Sequence, residues 1–312
     1  MTPLVPFYVI RVRGTSFMRK KKLSISTKQN IAGWSFLTPA VILISIMSFY
    51  PMVRALLLSF QSGQGAKLSF AGLYNYQRLF NDKVFMQSML NCFFYLIIQV
   101  PIMLVLALIL ATLLNRPNLR FKGLFRTAIF LPCATALVSY ATIFRSLFST
   151  DGFINTVLIN LGFLTKAYDF LGNATSARWV IILALIWRWT GYNMVFYLAA
   201  LQNIDSSIYE AARIDGASPW SVFWNITVPL LKPTILLTLI LSTNGTLQLF
   251  DESVNLTNGG PANSTITMSH YIYNTSFLYV PKFGYAAAMS IVILVMVFIL
   301  ASLQMKVGDK RD

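Results

Sequence analysis

Apolar residues along this chain gather into six long runs, Trp34–Phe60, Met89–Leu114, Phe125–Phe148, Trp179–Leu201, Thr234–Phe250 and Gly284–Leu303, without the strict alternation of a half-buried strand. Each approaches or exceeds the roughly 20 residues that a helix needs to cross a hydrocarbon core about 30 Å thick. In lipid, backbone polar groups must be satisfied inside helices or closed barrels. Uninterrupted runs of this length fit helices, not ten-residue alternating strands. The expected fold is an all-α polytopic membrane protein with six transmembrane helices.

The polar segments between the runs orient it. The N-terminal stretch carries Arg11, Arg13, Arg19, Lys20, Lys21, Lys22 and Lys28, and the second connection carries Arg116, Arg120, Lys122 and Arg126; neither holds an acid. The C-terminal end adds Lys306, Lys310 and Arg311. These segments fall on one side of a six-span chain, and an excess of Lys and Arg marks the cytoplasm. Gln61–Ser88, Ser149–Arg178 and Asp251–Phe283 then face outward, and both termini are expected inside. The early run "PLVPFYVI" is short for a signal sequence and no small-residue cleavage pattern follows the first span. Residues 1–33 therefore read as a basic cytoplasmic tail, 34–303 as a six-span domain opening on an uncleaved anchor, and 304–312 as a second tail.

Composition agrees. Of the residues, 56% are hydrophobic and 11% charged, against about 25% charged in a soluble domain. The net charge of +15 lies beside the apolar runs, the membrane-orienting pattern, which argues against a nucleic-acid partner. Cys92 and Cys133 sit inside apolar runs without metal spacing, and His270 is the only histidine. No metal site is expected, and a Ser-His-Asp relay has little to draw on.

The connection Gln202–Lys232 is the longest one expected on the cytoplasmic side and contains "IYEAARIDGASPWSVFWNITVPLLKP". Ser207 and Glu210 fit a capping box. Gly216 fits the left-handed position past a helix end. Ser218 and Pro219 restart a helix as N-cap and N1, and Pro229 closes it. Ala211 and Ala212 are small enough for another surface to come close, and Trp220, Phe223, Trp224 and Ile226 are expected to hold the second helix against the span ends. Asp215 sits at a helix C-terminus, where the dipole disfavours it; it caps the next turn or faces a basic partner. Arg213 is the one cation before Lys232, too few for a DNA-binding helix-turn-helix.

The run Glu210-Ala211-Ala212, then Gly216, then Ile226-Thr227-Val228-Pro229 resembles the EAA motif of the membrane subunits of bacterial binding-protein-dependent ABC importers, departing from it at Val228, where Leu is usual. "LTPAVILISIMSFYPMVRALLLSF", "FAGLYNYQRLFNDKVFMQSMLNCFFY" and "LTNGGPANSTITMSHYIYNTSFLYVPKFGYAAAMS" are similar to the carbohydrate branch, in particular the maltose MalF-type subunit in its shorter six-span members. The resemblance implies a type I ABC importer permease-like fold in a bacterial inner membrane. It implies four kinds of partner: a second homologous permease subunit, two ATPase subunits that hold ATP and Mg, an extracytoplasmic solute-binding protein, and a carbohydrate. It casts the elbow as a coupling helix docked on the ATPase. Glu210 would pair with a basic residue there or serve the cap, Ala211 and Ala212 would pack closely, Gly216 would turn the chain, and Asp215 lies in the same contact.

The residues themselves narrow the energy source. No G-x-x-x-x-G-K-[ST] occurs, so a phosphate-cradling loop must come from a partner and no cofactor is expected in this chain. Ion coupling favours acids buried in the spans, and none is found there, which weighs against the alternative of an ion-coupled secondary carrier. A polytopic membrane enzyme is the other alternative, and Asp251-Glu252 is the one adjacent acidic pair available to it. Transporter substrates sit near the midplane at polar-interrupted helices. Tyr192, Asn193, Asn244 and Gln248 offer hydrogen bonds there, and Trp189 and Phe250 offer flat apolar faces. That mixture suits a sugar ring. Interhelical polar contacts account equally well for any one of them. A neutral oligosaccharide is the expectation; an acidic one stays open if Arg188 faces the cavity, as do glycerol phosphate conjugates. "GGPANST" reads as a turn without catalytic chemistry.

Overall fold

The computed structural model describes residues 24–116 and 119–308. The expectations resting on Arg11, Arg13, Arg19, Lys20, Lys21, Lys22, Lys310 and Arg311 lie outside the described residues. The chain divides into two units at Val53 and Arg54. The first holds a helix over Ile25–Ile44 and a π-helical turn at Ser45–Phe49, and the boundary falls within the next helix, Tyr50–Ser59. Helicity thus begins at Ile25, inside the stretch read as a tail. Trp34, Phe36 and Met47 are exposed, as apolar helix surface is in a bilayer.

In the second unit, helices Lys83–Leu114, Ala174–Gln202, Pro219–Leu247 and Phe283–Gly308 are each long and apolar enough to span a membrane. Side-chain caps start three of them, at Asp82, Asn173 and Ser218. The Asp82 carboxylate accepts the N–H groups of Val84 and Phe85 at 2.9 and 3.2 Å. Asn173 accepts those of Thr175 and Ser176, satisfying donors that the first helical turn leaves orphaned.

Two expectations are corrected. Pro229 does not close a helix: the chain is helical from Pro219 through a π-helical turn at Phe223–Thr227 to Leu247. That turn carries an extra residue immediately ahead of Pro229, where the N–H of Val228 reaches back to the carbonyl of Phe223. The wider turn accommodates the proline ring that would clash in a regular helix. The resulting 29 residues reach about 43 Å, so the helix outruns the hydrocarbon and merges elbow and span.

The third run is not one helix either. It divides into Lys122–Ala134 and Leu137–Leu147, bent by 96°, with Thr135 and Ala136 extended. The carbonyls before the break have partners in protein. Arg188 of the fourth span donates to the carbonyls of Pro132 and Cys133 and to Thr135 Oγ1, each at 3.3 Å, and Thr135 itself donates to Pro132 at 2.7 Å. Irregular backbone at membrane depth is tolerated where protein meets its polar groups in this way.

The second and fourth spans pack along each other, with Met103, Ala107, Met194, Tyr197 and Leu201 buried between them and Leu231 of the fifth added. Gly191 lets the third span approach the fourth, since a Cβ there would lie 1.9 Å from the Ile129 carbonyl oxygen. A two-stranded hairpin, Gln61–Gln64 against Lys67–Phe70, lies at the start of the sixth span, where a Cβ on Gly284 would meet the Gln61 carbonyl at 1.8 Å. The "GGPANST" turn is pinned from both central spans: Asn91 donates to the Ile266 carbonyl at 2.8 Å and Arg178 to that of Ser264 at 2.8 Å.

Candidate functional site

A cavity of about 320 Å³ opens between the second, fourth and fifth spans and the short helix Asp251–Asn255. That volume falls within the roughly 300–1,000 Å³ of small-molecule sites. Trp189, Tyr192, Asn193, Gln248 and Phe250 all line it. The fourth span supplies the first three at helical spacing, with the rings of Trp189 and Tyr192 edge to face at 5.7 Å. Asn193 donates to the Trp189 carbonyl at 2.9 Å, which fixes its amide beside them.

Asn244 does not line the cavity. It is exposed and accepts a hydrogen bond from the Gln248 amide one turn on, so its contact orients a lining residue. Gly245 lines the wall instead, leaving space where a side chain would stand. Sequence reasoning missed Gln99, Ser242 and Thr246, which also line the cavity. Thr246 donates to Gln99 Oε1 at 3.3 Å and the Gln99 amide reaches Met103 Sδ at 3.0 Å. A lone amide in "FFYLIIQVPIM" was the available signal for Gln99.

Two carboxylates were also missed at this wall, Asp251 and Glu252. Glu252, just past the fifth span, is buried at 3% exposure, although the expectation concerned acids within the spans alone. The fifth span ends at Leu247, and the next short helix folds back against Leu137–Leu147. This brings Glu252 to Tyr140, whose hydroxyl donates to its Oε1. Burial pushes the Glu252 carboxyl above its ordinary range, against the opposing pull of that hydrogen bond. Arg188 is buried but turns away from the cavity. Its guanidinium lies 4.6 Å from the Tyr140 ring centre and 5.5 Å from that of Trp189, while its donors serve the break in the third span.

The elbow presents a second surface. Its first helix, Ser206–Ile214, is capped by Asp205, whose carboxylate accepts the Ser207 N–H at 2.9 Å. The capping box expected at Ser207 and Glu210 is thus replaced by a simple cap two residues earlier, and Glu210 is left exposed and free of the cap. The hydrogen bonds from Ser207 hold the Asp205 carboxyl below its ordinary range. Gly216 has φ +74° and the Ala217 N–H closes on the Ala212 carbonyl at 2.9 Å, the αL termination expected of a glycine there. Ser218 accepts the Ser221 N–H at 3.2 Å, as the N-cap reading required.

Glu210, Ala211, Asp215 and Gly216 are exposed, whereas Ala212 is buried. Only one of the two small alanines therefore faces outward, beside an Ile214 that is 86% exposed. Trp220 and Trp224 do not pack against the spans as expected. Both are exposed, and Phe223 takes the inward position with Trp220 stacked on it.

Residues 69–310 match the family of binding-protein-dependent transport system inner membrane components. The lactose transport system permease protein LacF of Rhizobium radiobacter is 51% identical over 92% of this chain and 97% of its own. The arabinooligosaccharides transport system permease protein AraP of Halalkalibacterium halodurans is 32% identical over 89% and 87%. In fold, the chain superposes on a solved subunit of a bacterial ABC transporter involved in the import of the acidic polysaccharide alginate, with a TM-score of 0.81, 22% identity, and coverage of 92% of this chain and 98% of that one. With the family match running through the cavity and the elbow alike, this chain belongs to the binding-protein-dependent transport system inner membrane components, the membrane permease subunits of ABC transporters.

Proposed function

We propose that this permease conducts a carbohydrate across a bacterial inner membrane, with both termini in the cytoplasm, and that ATP hydrolysis in separate ATPase subunits drives it through the elbow. The observation that carries the reading is the cavity wall, where flat rings of Trp189, Tyr192 and Phe250 stand beside amides of Gln99, Asn193 and Gln248. A sugar presents C–H faces and hydroxyl edges, and this wall meets both. The relatives named for lactose and arabino-oligosaccharide transport support the same substrate class. A solved alginate importer bound to a saccharide-loaded periplasmic protein supports a solute-binding protein on the outer side.

A second permease subunit completes the pathway, and two ATPases holding ATP and Mg close beneath the pair. Glu210, Ala211 and Ile214 form the exposed face of the elbow helix, and Glu210 meets a basic residue of the ATPase. Because the elbow helix runs without a stop from Pro219 into the fifth span, a displacement there is delivered to Ser242, Gly245 and Thr246 at the cavity. Differential contact of the ATPases with two bundle arrangements then switches access. This chain is not itself an enzyme on this reading.

Copurification tests it. Glu210→Lys is expected to weaken retention of the ATPase by about tenfold or more, the scale of losing one charge pair and gaining a like-charge clash, and to abolish ATP-driven uptake of sugar. Full retention together with undiminished uptake would remove Glu210 from the coupling contact.

A further inference from the structure

The cavity stands on its rings and amides, yet its charge is one-sided. Asp251 and Glu252 line it, and among the described residues no Lys, Arg or His does. One cation close behind the wall, Arg188, is covered by the Tyr140 and Trp189 rings and turned to the carbonyls of Pro132 and Cys133. Its Nη1 and Nη2 groups are spent there and its buried Nε has no hydrogen-bond partner among the described residues, yet the side chain does not line the cavity. Glu252 is 3% exposed and already takes the Tyr140 hydroxyl. Asp251 is more open, half-buried at the rim of the same wall, and only its backbone carbonyl is engaged within its helix, by Asn255 at 2.9 Å.

Charge in such a place weighs more than on an open surface. A ligand that enters sheds water and meets low-dielectric walls, where like charges repel strongly and screening by salt is weak. Neutral hydroxyls lose nothing, since carboxylate oxygens accept hydrogen bonds from them. The same oxygens repel a ligand carboxylate, and no lining guanidinium or ammonium offsets the repulsion.

We infer that Asp251, with Glu252 behind it, sets substrate charge: the cavity admits neutral saccharides, accepts their hydroxyl donors on Asp251, and rejects uronate-bearing saccharides of the same shape. This deepens the carbohydrate reading above and rests on it. It assigns to Asp251 a selectivity role separate from the rings that recognise sugar faces.

The test uses the complete permease–ATPase complex in nanodiscs without the binding protein, so that selection upstream does not enter. Ligand binding is measured for neutral di- and trisaccharides, the same sugars oxidised at C6 to uronates, and the uronate methyl esters, which restore neutrality with little change in shape. The wild type is expected to hold each uronate about tenfold or more weakly than its neutral parent, and the ester to recover most of that loss. In Asp251→Asn the uronate-to-neutral ratio, taken within the variant, is expected to move toward one, and in Asp251→Lys to invert. Glu252→Gln provides a second variant, expected to shift the ratio less. Coelution with the second permease subunit establishes that each variant is folded. Equal binding of uronate and parent by the wild type, or a ratio unmoved in both Asp251 variants, overturns the inference and leaves the carbohydrate reading standing. Absence of binding for every saccharide, charged or neutral, overturns that reading and the inference with it.

Discussion

The second and third spans each carry a proline in apolar surroundings, Pro101 and Pro132. One runs unbroken over 32 residues, and the other turns by 96° just past its proline. Proline alone therefore does not set the outcome. A proline removes one N–H and crowds the preceding turn, a defect that a long helix in lipid absorbs because every other bond stays inside the helix. A full break exposes several backbone groups where water is absent, and each needs a partner. The third span has them, in the Arg188 guanidinium and the Thr135 hydroxyl. Two residues before Pro101, Gln99 is engaged with Met103 and Thr246 and not with the helix backbone. What separates the two helices is the donor set supplied by a neighbouring span.

Removing that donor set is the largest perturbation the comparison suggests. Arg188→Met leaves the Cys133 carbonyl without its partner, leaves the Pro132 carbonyl only the Thr135 donors, and strips the cation from the Tyr140 face. Each buried acceptor left unpaired costs about 1–3 kcal/mol, so a loss of roughly 3 kcal/mol or more is expected in thermal unfolding of the purified complex. Arg188→Lys keeps the charge but not the planar fork, and is expected to recover part of the loss. Wild-type stability in the methionine variant would show that the break holds itself.

Packing between the third and fourth spans comes next. At Gly191→Ala the new methyl would sit 1.9 Å from the Ile129 carbonyl oxygen, so the two spans must separate. Overpacking of this kind costs about 1–3 kcal/mol. Because Tyr192 and Asn193 follow on the same helix, saccharide affinity is expected to fall along with the melting temperature. A melting temperature that falls while affinity holds would detach the cavity from this contact.

These two residues also mark what could be read in the sequence. Five long spanning helices, the elbow and five of the six residues expected at the cavity were legible, because length, hydropathy and side-chain chemistry are local properties. Arg188 was visible as a cation in an apolar run, but its role depends on carbonyls more than fifty positions earlier. Glu252 was read as loop because it follows the apolar run, and only the fold-back onto Tyr140 buries it. Asn244 looked like a ligand group by chemistry, and its position on the helix turned it outward. The capping box failed for a smaller reason. Asp205 and Ser207 both satisfy cap chemistry, and the earlier of the two took the first turn. For Arg188 and Glu252 the residue type was informative and the partner lay on a different element.

The helix starts differ as well. The second span begins at a side-chain cap, whereas the segment Lys122–Ala134 has none and follows Phe121 at φ 59°. Burial alone would raise the Asp82 carboxyl, but hydrogen bonds from Tyr285, Tyr271 and the N–H groups of Phe85 and Val84 outweigh it and the net shift is downward. A lowered folded value means that Asp82 stabilises the fold fully above the unfolded carboxyl pKa of about 3.9. The contribution is lost as pH falls from there through the lowered folded value. Asp82→Asn is expected to cost about 1 kcal/mol at neutral pH, the scale of an N-cap, and to flatten the stability slope below pH of about 4 relative to wild type. Identical slopes in the two proteins would relieve Asp82 of this role.

The smallest effect is expected where the eye falls first, at the proline of the broken span. Pro132→Ala restores an N–H that a regular helix would direct to the carbonyl of Ala128, and removes the ring. It does not touch the backbone carbonyls of residues 132 and 133, nor Thr135, nor the guanidinium that meets them. If the donor set holds the bend, the angle persists and stability changes by less than about 1 kcal/mol, since the gain is confined to one hydrogen bond. Spin labels at positions 125 and 145, both exposed, with Cys92 and Cys133 replaced by Ala and Ser, give a direct measure. A straight helix would separate those backbones by about 30 Å, and a right-angled pair holds them closer. The expected result is an unchanged distance distribution in Pro132→Ala, and a broadened one in the same construction carrying Arg188→Met. A shift of the alanine variant toward the straight-helix distance would return the cause to the proline, and the second and third spans would then differ only in where their prolines fall.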